Sequence, residues 1–318
     1  MPSRIAHQIK VPESLAFQRL DQAAAALFPQ YSRSRLQAWI KSGELQVDGA
    51  RRRQKDKLLG GELVTIDAEA EEFGHVSEEM DLDVVHEDEA VIIINKPPGL
   101  VVHPGAGNPR GTLLNALLYR YPELDELPRA GIVHRLDKDT SGIMVVARTL
   151  ESQTELVRQL QARDVKRIYE AVVYGVVERD AEVDAPIDRH PVKRVRMSIR
   201  ENGREAVTRY HVLERFSRHS HLELSLQTGR THQIRVHMQH IRHPIVGDPT
   251  YGGTYRQPGH GSSERLMDAL RQFPRQALHA RRLALRHPAT GETASWEVPL
   301  EQDIEDLLTV LREESPDA

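Results

Sequence analysis

Gly131-Ile132-Val133-His134-Arg135-Leu136-Asp137-Lys138-Asp139-Thr140-Ser141-Gly142 is a dense polar stretch with an apolar segment on each side. Ile132 and Val133 lead in, and the run at 143–147 leads out as a buried strand. A charged loop between two buried strands sets Arg135 and Asp137 two residues apart. If the loop is extended, their side chains point the same way. An Asp beside arginines stays ionised, which suits a nucleophile or an electrostatic stabiliser. The same pattern also suits a structural ion pair.

Outward from this loop the pattern is strand-rich. The run at 91–94 suits a buried strand, and Lys96-Pro97-Pro98-Gly99 breaks it. Thr112 caps a helix over 113–121, and 150–162 has helical spacing. Strands are predicted at 167–177, 205–213 and 222–226. A helix follows at 231–240, then a Gly-, Ser- and Pro-rich loop at 251–264. Strands at 278–285 and 295–298 finish the sheet, and 304–311 is a closing helix. Many strands with few helices between them predict an α+β body on a mixed, largely antiparallel sheet flanked by helices.

The N-terminal part reads differently. Residues 15–28 are predicted as an amphipathic helix, and Ser32 caps a second helix running to Lys41. Gly43 ends it, and short strands at 44–47 and 62–66 flank the turn Asp48-Gly49. The expected organisation is a small α/β module at 15–76 and a larger domain at 77–318, with an acidic connector at 67–83.

The chain has 318 residues and a formal net charge of −4, which by itself argues against a polyanionic partner. The distribution reverses that. Residues 15–66 carry net +4 and 91–300 net +8, while 67–90 carry −11 and 301–318 carry −6. Two basic bodies are compatible with nucleic acid. There is no cysteine, which excludes disulfides, a thiol nucleophile and Cys-ligated zinc, and fits a reducing cytoplasm. Residues 1–10 have no signal-like apolar core and no run approaches a membrane span, so a soluble cytoplasmic protein without a membrane partner is expected.

Two further segments concentrate unusual chemistry. Asn95-Lys96-Pro97-Pro98-Gly99 continues to Val102-His103-Pro104-Gly105, a constrained path after a buried strand. Thr228-Gly229-Arg230-Thr231-His232-Gln233-Ile234-Arg235-Val236-His237 reads as a glycine turn opening a helix, a natural anion site. A metal site is not expected. The step from His232 to His237 rotates about 140° around a helix, and no carboxylate intervenes. Phosphate-loop, dinucleotide, lipase-elbow and zincin motifs are absent. Asp137 and Asp139 invite comparison with a glycosidase pair, but aromatics are only 5%, and nothing else suggests a sugar site.

Taken together, His134-Arg135-Leu136-Asp137 with Thr140-Ser141-Gly142, Asn95-Lys96-Pro97 with His103-Pro104, and 228–235 resemble the RluA-type pseudouridine synthases. Lys166-Arg167-Ile168-Tyr169-Glu170-Ala171 resembles the family's tyrosine strand, and Leu278-His279-Ala280 with His287-Pro288 its C-terminal motif. Arg19-Leu20-Asp21, Ser32-Arg33-Ser34-Arg35 and Val47-Asp48-Gly49 resemble an S4 RNA-binding domain. The likeness covers nearly the whole chain.

The resemblance implies isomerisation of specific uridines to pseudouridine in large-subunit (23S) ribosomal RNA, in the intersubunit stem-loop, with no cofactor and no metal. It implies that Asp137 is the essential carboxylate, either adding to the ribose C1′ or assisting departure of uracil. Tyr169 would stack under the base and help remove the C5 proton. Arg230 would pair with Asp137. Arg135 would fill the space of the extruded uridine, with His134 supporting the site. Arg33, Arg35, Lys41, Arg51, Arg52 and Arg53 would grip phosphates. The expected partner is 23S rRNA or the assembling large subunit, met by a monomer. The competing readings are a paralogue acting on other uridines of the same RNA, a non-catalytic S4-type assembly factor, and an RNA glycosylase that releases uracil.

Overall fold

The computed structural model describes residues 4–29, 31, 33–69, 76–105, 107–252 and 263–315, without the side chains of Arg33, Ser34 and Glu69. The chain divides into two compact units, Met1–Gly74 and His75–Ala318.

The first unit carries β1 (Arg4–Lys10), α1 (Leu20–Leu27), α2 (Arg33–Ser42), β2 (Leu45–Val47) and β3 (Leu63–Glu69). The sheet is antiparallel in the order β1-β3-β2. Leu20, Ala23 and Ala24 from α1 and Leu36, Trp39 and Ile40 from α2 bury against Leu45, Val47, Val64 and Ile66. Three expectations are corrected here. The helix predicted from residue 15 starts at Leu20, because Phe17 adopts a left-handed φ of 62°. The unit begins before residue 15, since β1 pairs along β3 from Arg4↔Glu69 to Lys10↔Leu63. Asp67 and Glu69 of the acidic connector belong to β3. The Ser32 cap and connector residues 70–75 lie outside the described residues.

The second unit opens with β4 (Asp83–Glu87), β5 (Val91–Lys96), α3 (Leu113–Arg120) and β6 (Ser141–Ala147). Then come α4 (Leu150–Ala162), β7 (Lys166–Tyr174), β8 (Ala181–Asp184), β9 (Ile187–Arg189), β10 (Met197–Ile199), β11 (Val207–Arg215) and β12 (His219–Leu226). It closes with α5 (Gln233–His240), α6 (Glu264–Gln272), β13 (Leu278–Arg286), β14 (Thr293–Glu297) and α7 (Gln302–Glu313). Nine strands form one mixed sheet, β4-β5-β6-β13-β7-β12-β11-β8, with β14 also on β13. Only β6 and β13 run parallel among its strand pairs. This is the α+β architecture the sequence predicts. β8, β9 and β10 are additions to the predicted strands. α6 begins at the end of the predicted loop, whose residues 253–262 lie outside the described residues. β13 sits inside the sheet instead of finishing it, between β6 and β7.

That insertion matters for the site. The register pairs His279 with Ser141 and Ala280 with Gly142, so two motifs distant in sequence are neighbours. A Cβ on Gly142 would lie 2.2 Å from the Ala280 carbonyl oxygen, and its φ is +110°, so only glycine allows this approach. Below the polar loop, the apolar runs 91–94 and 143–147 are fully buried, as continuous apolar strands should be. Thr112 and Asn115 form a reciprocal capping box at the start of α3.

Candidate active site

Asp137 lies just before β6 in a loop whose backbone is held from three directions. Thr140 N–H donates to the Asp137 carbonyl at 3.1 Å. Arg275 Nη1 donates to the Asp139 carbonyl at 3.2 Å while the same guanidinium grips Asp303 at 2.6 and 2.7 Å. Lys96 Nζ donates to the carbonyls of Pro97, Leu100 and Lys138 at 2.8, 3.0 and 3.0 Å. Lys96 is fully buried, and burial pulls its ammonium down to about 7, against the pull of Asp139 and Asp137. The Asn95-Lys96-Pro97 motif therefore ties one loop to the other.

The Asp137 carboxylate is half-buried, and its Oδ2 accepts from Arg235 Nη1 at 2.9 Å. Arg235 lies on the buried side of α5 and is held on its other edge by Asp248, at 2.7 and 2.9 Å. Asp248 is fully buried and also accepts from the backbone N–H groups of Thr250 and Tyr251. Burial works against both charges. The bidentate contact outweighs it, lowering Asp248 and, with Asp137, raising Arg235.

The second carboxylate oxygen, Oδ1, faces His232 Nε2 at 3.8 Å. His232 precedes α5 in a left-handed conformation, with φ 56°. Its Nδ1 lies 2.8 Å from the Tyr251 hydroxyl, which accepts from Met197 N–H at 2.8 Å. In the tautomer in which the hydroxyl donates to Nδ1, the ring proton sits on Nε2, toward Asp137. Burial holds His232 below the usual histidine range, opposed by Asp137 and helped by Arg235.

Tyr169 stands on β7, buried, with Leu224 and Ala280 as cross-strand partners. Burial raises its phenol, and the Asp137 charge adds to that. His134 Nε2 accepts from Val145 N–H at 3.1 Å, and burial pulls its imidazole down to about 3, with Arg167 adding to the effect. His134 is therefore a neutral strut between the loop and β6.

Residues 90–240 match the RNA pseudouridylate synthase family, and residues 18–64 match the S4 domain. Ribosomal large subunit pseudouridine synthase D of Pseudomonas aeruginosa is 55% identical over 315 residues, covering 99% of this chain and 98% of that protein. The chain belongs to the RNA pseudouridylate synthase family. This synthase is similarly related to the synthase D of Escherichia coli K12, at 53% identity, 98% of this chain and 96% of that one. Among solved structures, human RNA pseudouridylate synthase domain containing 4 aligns with a TM-score of 0.57 and 28% identity, over 72% of this chain and 93% of that one.

The synthase corrects one pairing expected from its sequence. Arg230 does not reach Asp137. It lies in the turn before α5, where its Nε donates to the Glu205 carbonyl at 3.0 Å. Arg235, one and a half turns further on, takes the place. Arg135 is exposed while Asp137 is half-buried, and both charges are felt by His232. Asp248, His232 and Tyr251 are site residues that sequence reasoning misses. His232 lies in the glycine-turn motif that opens α5, whereas no motif marks Asp248 or Tyr251.

Of the four histidines that invite a metal reading, three are engaged separately and one is exposed. His237 bonds Thr208 and the Ala185 carbonyl, His243 bonds the Tyr174 carbonyl, His232 bonds Tyr251, and His240 is exposed. Among the described residues no three His, Asp or Glu side chains gather as a metal site, and no helix is long and apolar enough to cross a membrane.

In the S4 part, Lys41, Arg51, Arg52 and Arg53 are exposed. Arg35 is half-buried, its guanidinium 4.8 Å from the Trp39 ring centroid and 5.8 Å from that of Tyr31. The Arg33 side chain lies outside the described residues.

Proposed function

We propose that this enzyme converts specific uridines of large-subunit ribosomal RNA to pseudouridine, with the intersubunit stem-loop as target and Asp137 as the essential carboxylate. Near-full-length identity with proteins named ribosomal large subunit pseudouridine synthase D supports the substrate class. The observation that carries the chemistry is the Asp137 carboxylate, anchored on Oδ2 by a buried Arg235 and leaving Oδ1 toward His232. A carboxylate with one oxygen fixed and one presented acts at the ribose C1′ as uracil departs. Tyr169 supplies a ring beside it, and Arg135, exposed on the same loop, occupies the space left by the extruded nucleotide. Lys41, Arg51, Arg52 and Arg53 offer a sequence-independent phosphate grip on a cytoplasmic RNA partner.

Chemical pseudouridine mapping of large-subunit rRNA, incubated with wild-type protein and with Asp137→Asn, tests the proposal. New signals in the intersubunit stem-loop that require Asp137 are expected. Asp137-dependent signals at other positions would move the enzyme to the paralogous specificity. No signal on naked rRNA or isolated subunits would favour the assembly-factor reading, and free uracil a glycosylase.

A further inference from the structure

Arg167 is more than nine-tenths buried, yet among the described residues it makes no hydrogen bond or ion pair and its Nε has no partner. A guanidinium keeps its charge in proteins and carries five donors, so leaving it buried and unpaired is costly. Every other buried arginine among the described residues is paired: Arg235 with Asp137 and Asp248, Arg275 with Asp303. The position of Arg167 is equally specific. It precedes Tyr169 by two residues on β7, so both side chains stand on the same face of the sheet. Its Nη1 lies 2.6 Å from where a Cβ on Gly229 would be, so the glycine of the Thr228-Gly229-Arg230 turn makes room for it. Its charge is felt by His134 on one side and by Tyr169 on the other, and Tyr169 also feels Asp137. Three motifs thus converge on one cation with unused donors.

We propose that Arg167 is a catalytic residue that receives the uracil ring and serves as its counter-charge while the ring is detached. This rests on the isomerase reading above. The C1′–N1 bond breaks with its electron pair remaining on the base. That leaves a uracil anion, its charge shared by N1, O2 and O4, and an electron-poor C1′ facing Asp137. The ring turns, C5 supplies the pair for the new C5–C1′ bond, a proton leaves C5 and one is returned to N1. Nothing is consumed, so the enzyme must retain and neutralise a detached anion through the rotation. A planar, fixed fork of N–H donors beside the base suits two carbonyl oxygens whose positions exchange as the ring turns. An RNA phosphate fits less well. It stays on the outside of the chain, whereas a flipped base is the part of the substrate that enters a pocket.

The test uses full-length protein and an RNA stem-loop whose target uridine the wild type converts. Single-turnover rates are compared for uridine, 2-thiouridine and 4-thiouridine at that position, because sulfur is a poor acceptor. Wild type is expected to slow by about tenfold or more with at least one thio-RNA, and Arg167→Met to lose on the order of 10²–10³ in rate on uridine. In Arg167→Met the sulfur substitution should add no further slowing. RNA affinity should stay within about threefold, since Arg167 engages the base only after it is detached. Arg167→Lys should recover part of the rate. Wild-type indifference to both sulfurs would overturn the proposal even if the variants fail to fold. So would a full sulfur penalty persisting in Arg167→Met. A loss confined to affinity, with a shallower salt slope, would make Arg167 a phosphate ligand instead. Release of free uracil by the wild type would remove the isomerase reading while leaving the sulfur effect intact. Normal pseudouridine formation without sulfur sensitivity would remove Arg167 alone.

Discussion

Asp137 and Arg235 are 98 residues apart in sequence and 2.9 Å apart in space, and Arg235 is aimed at Asp137 because Asp248 clamps the opposite edge of its guanidinium. The Asp137 carboxylate is thus positioned by a charge that is itself positioned by a second, fully buried carboxylate.

These linked ion pairs separate Arg235 from Arg230. Arg235→Ala removes the bidentate guanidinium from the buried Asp248 carboxylate and should lower stability by about 3–5 kcal/mol, with loss of activity. Asp248→Ala on top of Arg235→Ala should restore part of the stability, because the buried carboxylate that lost its counter-ion is then removed as well. Arg230→Ala should leave the unfolding midpoint close to wild type. Urea unfolding of the three variants decides it, and equal losses for Arg230→Ala and Arg235→Ala would contradict the assignment.

Tyr251→Phe isolates the control of His232. The change leaves Met197 N–H and His232 Nδ1 without the hydroxyl that links them, a cost of about 1–3 kcal/mol. The imidazole is then free to adopt the other tautomer, and turnover should fall with RNA affinity preserved. Nitrogen NMR of the His232 ring reports the tautomer directly. An unchanged ring and an unchanged rate would show that the hydroxyl does not set it.

His219 predicts acid sensitivity. It is buried against Tyr174, neither ring nitrogen has a hydrogen-bond partner among the described residues, and burial pulls it down to about 4. His279 is likewise held at about 4 and His134 at about 3. The folded values lie below the unfolded value of about 6.5, so the unfolded chain takes up protons first as the pH falls. The contribution of these histidines to stability is complete above about pH 6.5 and is lost progressively toward pH 4. His219→Phe should remove its share of that slope and gain about 1 kcal/mol at neutral pH, since an unsatisfied polar ring is replaced by an apolar one. Thermal melts from pH 4 to 7 give both quantities, and a curve parallel to wild type would contradict the assignment to His219.

Lys96 acts in the alkaline range. Its folded value, about 7, lies below the 10.5 of an ordinary lysine. Between those limits the unfolded chain holds more protons, so stability should rise with pH, by roughly 1 kcal/mol per unit. Lys96→Met removes the titrating group and should flatten the rise, while orphaning three carbonyls and loosening the Asp137 loop. Chemical denaturation at pH 7, 8 and 9 provides the slope. A slope retained in the variant would place its origin elsewhere.

In the S4 part, exposed and stacked arginines should behave differently. Replacing Arg51, Arg52 and Arg53 together with Ala should leave the unit folded. It should shrink the slope of log K against log salt by about 0.7–0.9 for each phosphate no longer neutralised. Arg35→Ala should also destabilise the unit, because its guanidinium lies over Trp39. RNA titrations at several salt concentrations, with a melt of each variant, separate the two. An unchanged slope in the triple variant would exclude that turn as a phosphate grip.

Local chemistry determined much of this protein before folding is considered. The helix cap at Thr112, the buried runs at 91–94 and 143–147, and the polar loop bearing Asp137 were legible because each depends on residues within a few positions of one another. So was the α+β class, which follows from the spacing of strands and helices. The strand β1 was not. It buries only one alternate side, and its partner β3 lies more than fifty residues away. The tertiary structure alone chose Arg235 over Arg230, since both lie in one basic motif and only the buried side of α5 faces the loop before β6. It also brought Asp248 and Tyr251 to the site and left Arg167 without a partner among the described residues. The physical reason is that a sequence states which charges exist, whereas their pairing depends on which of them the packed sheet removes from water together.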